Sequence, residues 1–192
     1  MFKKLIVIFM MSVMALVAAD DLQRIQDDLR QRIDTITGFL GDKSLAQADK
    51  NQKIIALSDP ILDFSLMSQL SLEKNIRAKL TPEQLQEFTR LFEKELKNSF
   101  LTKLESYSNE KIEFTKNVQT QANRISVFSV LKGKKEDMEI VFKYYLTSSN
   151  SWKIYDLEIA GVSLMQTYRT QFAEIVNKDG VNALLDKLRQ KQ

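Results

Sequence analysis

Residues 81–118 read TPEQLQEFTRLFEKELKNSFLTKLESYSNEKIEFTKNV, and within them the hydrophobic period changes. Thr81-Pro82-Glu83-Gln84 is a helix start, with Thr81 as N-cap, Pro82 at the first helical position and Gln84 placed to close a capping box. The helix it opens carries Leu85, Phe88, Phe92, Leu96, Phe100, Leu104 and Tyr107 at steps of three and four, one heavily aromatic stripe. After Tyr107 the period falls to two, alternating through Ile112 and Phe114 over residues 111–118.

Working outward, residues 123–132, 136–147 and 152–159 are further strands, separated by the polar turn Lys132-Gly133-Lys134-Lys135-Glu136 and by Ser148-Ser149-Asn150-Ser151. Four sequential strands on short loops imply an antiparallel meander. Helix returns over 162–177 through Leu164, Tyr168, Phe172 and Ile175, breaks at Gly180, and ends in Val181, Leu184, Leu185 and Leu188. Gly161 permits the turn from the last strand into these helices. Upstream, Leu22, Ile25, Leu29, Ile33, Ile36 and Leu40 mark an amphipathic helix that ends near Gly38 and Gly41. A second helix runs from Ser44 toward Leu57 and stops before Pro60. Residues 61–80 hold one or two short helices, with Phe64, Met67 and Leu70 on one face. Helices, then strands, then helices make an α+β domain, helices gathered on an antiparallel sheet. No repeat, linker or low-complexity stretch divides residues 20–192, so one domain is expected.

The first nineteen residues read differently. Lys3 and Lys4 precede thirteen residues, Leu5 to Val17, that are apolar except for Ser12, and Val17-Ala18-Ala19 supplies small residues before Asp20. That is the layout of a cleaved secretory signal peptide. Thirteen helical residues span only about 20 Å, against a hydrocarbon core of about 30 Å. Loss of the two leader lysines takes the net charge from +3 to +1, so no bulk attraction to nucleic acid or anionic membrane is expected.

Among the 192 residues there is no histidine and no cysteine. Ser-His-Asp and Cys-His machinery, zinc sites of the usual nitrogen and sulfur type, iron–sulfur clusters and disulfides are all closed to such a chain. No cofactor and no metal are expected. What the chain has in surplus is bulky apolar surface. Val127, Phe128, Val130 and Leu131 fall on both faces of one strand, and Ile140-Val141-Phe142 with Tyr144-Tyr145-Leu146 does so in the next. Either helices from both ends of the chain cover both faces, or sheet and long helix are held apart around an apolar pocket for a ligand with hydrocarbon parts. These residues by themselves leave both arrangements open.

Certain motifs carry a resemblance. They are Asp63-Phe64 with Met67, Thr81-Pro82-Glu83-Gln84 with Phe88, Leu104 with Tyr107, and then a dense run. That run is Trp152-Lys153-Ile154-Tyr155-Asp156, Glu158, Gly161-Val162-Ser163-Leu164, Tyr168-Arg169-Thr170-Gln171-Phe172 and Gly180. In order and spacing, over about 130 residues from Asp63, the chain resembles the MlaC family of periplasmic phospholipid-binding proteins, also called toluene-tolerance proteins. The resemblance implies an NTF2-like α+β fold around an apolar cavity that takes the acyl tails of a glycerophospholipid. It also implies two partners, an outer-membrane MlaA-like lipoprotein–porin complex and an inner-membrane Mla ABC transporter. Transfer between them maintains outer-membrane lipid asymmetry.

On that reading Phe64, Met67, Phe88, Phe92, Leu96, Phe100 and Leu104 are candidates for the helical wall of the cavity, each equally able to serve as plain core. Val127, Val141 and Tyr144 are candidates for the sheet wall, with Tyr155 and Tyr168 beside them; Trp152 and Tyr155 should point to opposite faces. Arg169 is the candidate for a phosphate at the mouth, or else for an ion pair with Asp156 or Glu158. The run from Lys132 to Lys135 reads as a solvated turn. Two other functions fit parts of the pattern. An NTF2-like isomerase or dehydratase would use Asp63 or Asp156 with a neighbouring tyrosine. An exported chaperone or lipoprotein carrier would show an open apolar patch.

Overall fold

A computed structural model describes residues 2–107 and 110–191, with side chains described from residue 20. The chain runs α1 (Phe2–Gly41), α2 (Gln47–Ser58), a 3-10 turn (Asp59–Ile61), α3 (Phe64–Leu70), α4 (Lys74–Arg77) and α5 (Pro82–Glu105). Then come β1 (Lys111–Gln121), β2 (Arg124–Lys132), β3 (Met138–Leu146), β4 (Trp152–Ile159), β5 (Val162–Ser163) and α6 (Leu164–Gln190). The leader expected at 1–19 lies outside the residues whose side chains are described. Among the described residues no helix is long and apolar enough to cross a membrane.

Local chemistry sets the element ends. Thr81 Oγ1 accepts from the Gln84 amide at 3.2 Å and Gln84 Oε1 accepts from the Thr81 amide at 3.0 Å, which is the capping box read from the sequence. Asp63 caps α3 by accepting from the Leu66 amide at 2.8 Å, and Ser163 caps α6 by accepting from the Gln166 amide at 3.0 Å. The helix expected from Val162 therefore begins two residues later, because Val162 and Ser163 pair with Ile159 and Glu158 as a fifth strand. Gly161, at φ +79°, makes the intervening turn. Gly180, at φ 85° and ψ 173°, breaks α6 into two helices, a conformation open almost only to glycine.

The strands lie in the order β1-β2-β3-β4-β5, every neighbouring pair antiparallel. Register and alternation sort their side chains onto two faces. One face bears Phe114, Ile125, Val127, Phe142, Tyr144, Trp152, Ile154 and Leu157, and packs against Leu22, Ile25, Leu29 and Ile33 of α1. The other bears Arg124, Phe128, Val141, Lys143, Tyr145, Asp156 and Glu158. A bulge between Lys143 and Tyr144 accommodates Tyr155, whose ring meets Tyr145 edge-on at 6.1 Å.

A second apolar cluster is built from the helices and the α3–α4 link. Met67, Leu72, Ile76, Phe88, Leu91, Phe92 and Leu96 come together with Met165, Phe172, Val176, Leu184, Leu185 and Leu188, all buried. Here α5 packs on α3 and α6, while α3 and α6 also pack on β4. Leu62 is packed against both clusters.

Candidate functional site

Among the described residues two apolar clusters meet at Leu62. Leu62 bridges to Ile154 of β4, and the amide of Asp63 donates to the Ile154 carbonyl at 3.0 Å. The link between the 3-10 turn and α3 is thereby stitched to the sheet just where the clusters adjoin.

The helical cluster is closed tightly. Phe88 and Phe92 stack at 5.6 Å, Phe172 meets both edge-on at 5.6 and 5.5 Å, and Tyr168 meets Phe92 edge-on at 4.9 Å. Two cavities flank the clusters. One, of about 250 Å³, lies between α1 and the sheet, lined by Arg24, Ile25, Asp28, Ile61, Tyr144 and Trp152 with the Asn150-Ser151 turn. The other, of about 170 Å³, lies between α5 and the two halves of α6, over Phe172, Leu184 and Leu188. Both are smaller than the ~300–1,000 Å³ of an ordinary ligand pocket.

Of the helical-wall candidates, Met67, Phe88, Phe92 and Leu96 are buried in the helical cluster, with Phe64 and Tyr168 packed on its margin. Phe100 is exposed and Leu104 half-buried toward the end of α5. The sheet-wall candidates separate. Val127 and Tyr144 are on the α1 face, whereas Val141 and Tyr155 are on the other, so no cavity on one side of the sheet takes in all four. The apolar surplus on the second face is partly met by cations instead: Lys116 lies over Phe128 at 4.4 Å, and Arg124 over Tyr145 and Tyr155 at 5.1 and 4.5 Å.

Arg169 donates from Nε to the Leu70 carbonyl at 2.7 Å and so ties α6 to the end of α3. Neither expected carboxylate partner meets it. Glu158 pairs with Lys143 at 2.6 Å. Asp156, only 6% exposed, accepts from Ser163 Oγ at 2.7 Å and from the Met165 amide at 3.1 Å, which holds the start of α6 to β4. Asp63 is engaged as well, as the α3 cap and as acceptor of the Tyr145 hydroxyl. Burial together with that Asp63 carboxylate pushes the Tyr145 hydroxyl up to about 12. Burial, reinforced by Glu95, also raises Tyr168.

Sequence reading did not assign Ile25, Leu29, Ile61 or Leu62 to the site. The α1 stripe was visible as a helix face, but what it faced was not. The adjacency of Ile61-Leu62 to the Asp63-Phe64 motif was the available signal.

The fold is an α+β domain whose sheet and helical bundle each present an apolar surface, the two meeting at Leu62. The chain belongs to the MlaC family: the family model, described as "MlaC protein", matches residues 23–190. The resemblance carried by the motifs from Asp63 to Gly180 is thereby established. Among similar proteins is the "intermembrane phospholipid transport system binding protein MlaC" of Haemophilus influenzae, 28% identical over 112 residues. That match covers 56% of this chain and 52% of the relative, so the chain aligns with about half of that protein's length. The "toluene tolerance protein ttg2D" of Pseudomonas putida is 25% identical over 153 residues, 76% of this chain and 71% of the relative. A phospholipid-binding protein from Ralstonia solanacearum, solved in complex with a phospholipid, superposes with a TM-score of 0.71 at 25% identity, covering 86% of this chain and 95% of that one.

Proposed function

We propose that the protein is an exported, non-enzymatic carrier of glycerophospholipid, cleaved after Ala19, that moves lipid between an outer-membrane lipoprotein–porin complex and an inner-membrane ABC transporter. The observation that carries the lipid part is the likeness to the phospholipid-bound Ralstonia protein across 86% of the chain. The exported location and the two membrane partners rest on family membership and on the leader-like residues 1–19.

The physical task suits the composition. Each methylene kept from water is worth about 0.8 kcal/mol, so two chains with about 30 methylenes represent on the order of 24 kcal/mol. A carrier must bury the tails almost fully, and apolar walls do this without histidine, cysteine or metal. In our reading the tails lie along the junction at Leu62, between Phe64, Met67 and Leu96 on the helical side and Ile25, Val127 and Tyr144 on the sheet side, with Arg169 near the mouth. Neither of the cavities of about 250 and 170 Å³ holds two tails by itself, and in our reading loading parts the two clusters. The carboxylates an isomerase would need, Asp63 and Asp156, are already committed to helix starts.

The test is lipid extraction and mass spectrometry on protein exported to a Gram-negative periplasm and purified without detergent. Near-stoichiometric glycerophospholipid is expected, on a chain whose intact mass begins at Asp20. Protein that emerges empty, and stays empty after incubation with liposomes, overturns the reading.

A further inference from the structure

The cavity between α1 and the sheet has a feature that hydrocarbon binding does not use. Tyr144 lines it and is 3% exposed, and its hydroxyl is buried with no hydrogen-bond partner. A buried donor left unpaired is costly unless something satisfies it. The rest of the lining is mixed. Ile25, Ile61 and Trp152 are apolar; Arg24, Asp28, Asn150 and Ser151 are polar.

Charge narrows the choice of ligand. Arg24 pairs with Asp21 at 2.5 Å and Arg32 with Asp28 at 2.8 Å, while Asp21 also accepts from the Trp152 indole at 3.4 Å. The guanidinium that lines the cavity, Arg24, is thus matched by a carboxylate, which weakens its draw on a bare phosphate. A neutral acceptor suits the site better. Ile25 and Tyr144 are also members of the apolar cluster on this face of the sheet, and Ile61 adjoins Leu62, so the cavity is continuous with the surface assigned to the tails.

We propose that this cavity is the polar anchor of the lipid site, in which the Tyr144 hydroxyl donates to an acyl-ester carbonyl of the glycerophospholipid, at the join of glycerol and tail. The inference rests on the carrier reading above. It makes the anchor indifferent to headgroup, because the ester is common to all diacyl glycerophospholipids. It also makes the anchor sensitive to the linkage, because an ether-linked lipid of equal chain length offers no carbonyl.

The test offers mature protein an equal mixture of vesicle lipids, ester-linked phosphatidylglycerol and its ether-linked analogue with matched chains. Retained lipid is read by mass spectrometry, and occupancy by the fluorescence of Trp152, the single tryptophan of the chain. The wild type should favour the ester by about two- to tenfold, the effect of one buried hydrogen bond. Tyr144→Phe should lose that preference while melting no lower than wild type, since the hydroxyl it removes has no protein partner. Equal retention of both lipids by the wild type, or an ester preference that survives in Tyr144→Phe, overturns the anchor and leaves carriage standing. A Trp152 response to glycerol 3-phosphate alone that matches the vesicle response also overturns it, by making the site one for a free phosphate ester. A wild type that retains neither lipid sinks the carrier reading itself, and the anchor with it.

Discussion

Phe92→Ala tests whether the helical cluster is the packed interior described above. The ring is fully buried, stacks on Phe88 at 5.6 Å, and receives Tyr168 and Phe172 edge-on at 4.9 and 5.5 Å. Truncating a buried phenylalanine to alanine costs about 3–5 kcal/mol through lost transfer energy and the cavity left behind. Three aromatic partners, each pair worth about 0.5–1.5 kcal/mol beyond burial, place this site toward the upper end. Net stability of a folded protein is only about 5–15 kcal/mol, so one ring here is a large share of it. For a domain of this size 1 kcal/mol moves Tm by about 2–4 °C, so a loss of about 4–5 kcal/mol lowers Tm by about 8–20 °C. The assay is urea and thermal unfolding of delipidated protein followed by circular dichroism. Phe100→Ala serves as a comparison on the same helix, where the ring is 36% exposed, and should cost under about 1 kcal/mol. If Phe92→Ala also costs less than about 1 kcal/mol, the cluster is not packed as described and the reasoning fails.

Three further outcomes follow from particular contacts. Gly180→Ala should destabilise by about 1–3 kcal/mol through backbone strain alone, because φ is +85° and nothing lies within 4 Å of the added carbon; chemical denaturation reads it. Tyr145 ionises near 10 when unfolded but near 12 when folded, so its contribution is full below about pH 10 and drains away as pH rises toward 12. Tyr145→Phe should therefore flatten the alkaline fall of Tm across that window, and an unchanged fall would contradict the burial of its hydroxyl against Asp63. Asp156→Ala removes the acceptor of Ser163 and of the Met165 amide inside the fold and should cost about 1–3 kcal/mol, measured by urea unfolding.

What could be read from the sequence was what short-range physics decides. The Thr81-Gln84 box, the aromatic stripe of α5, the change of period after Tyr107 and the break at Gly180 all depend on neighbours a few residues apart, and each stands in the structure. Facing across the sheet was harder. Alternation separates Trp152 from Tyr155, but only pairing with β3 shows that Val127 and Tyr144 share a face that Val141 and Tyr155 do not. Arg169 illustrates another limit. A guanidinium near acidic residues suggests an ion pair, yet its partner is the backbone carbonyl of Leu70, which no side-chain pattern marks. The division of the apolar residues into two clusters joined at Leu62 is a long-range property, set by where α1 crosses the sheet and where α6 returns to α5.

The most direct test of the account is to find where the tails lie. Protein loaded with a phospholipid carrying a photoreactive diazirine on its acyl chain is irradiated, digested and mapped by mass spectrometry. The account predicts adducts that flank Leu62, on Ile61, Phe64, Ile25, Leu29 and Val127. Absence of adducts, or adducts confined to Phe128, Val141 and Tyr155 or to the groove over Leu184 and Lys187, would contradict it.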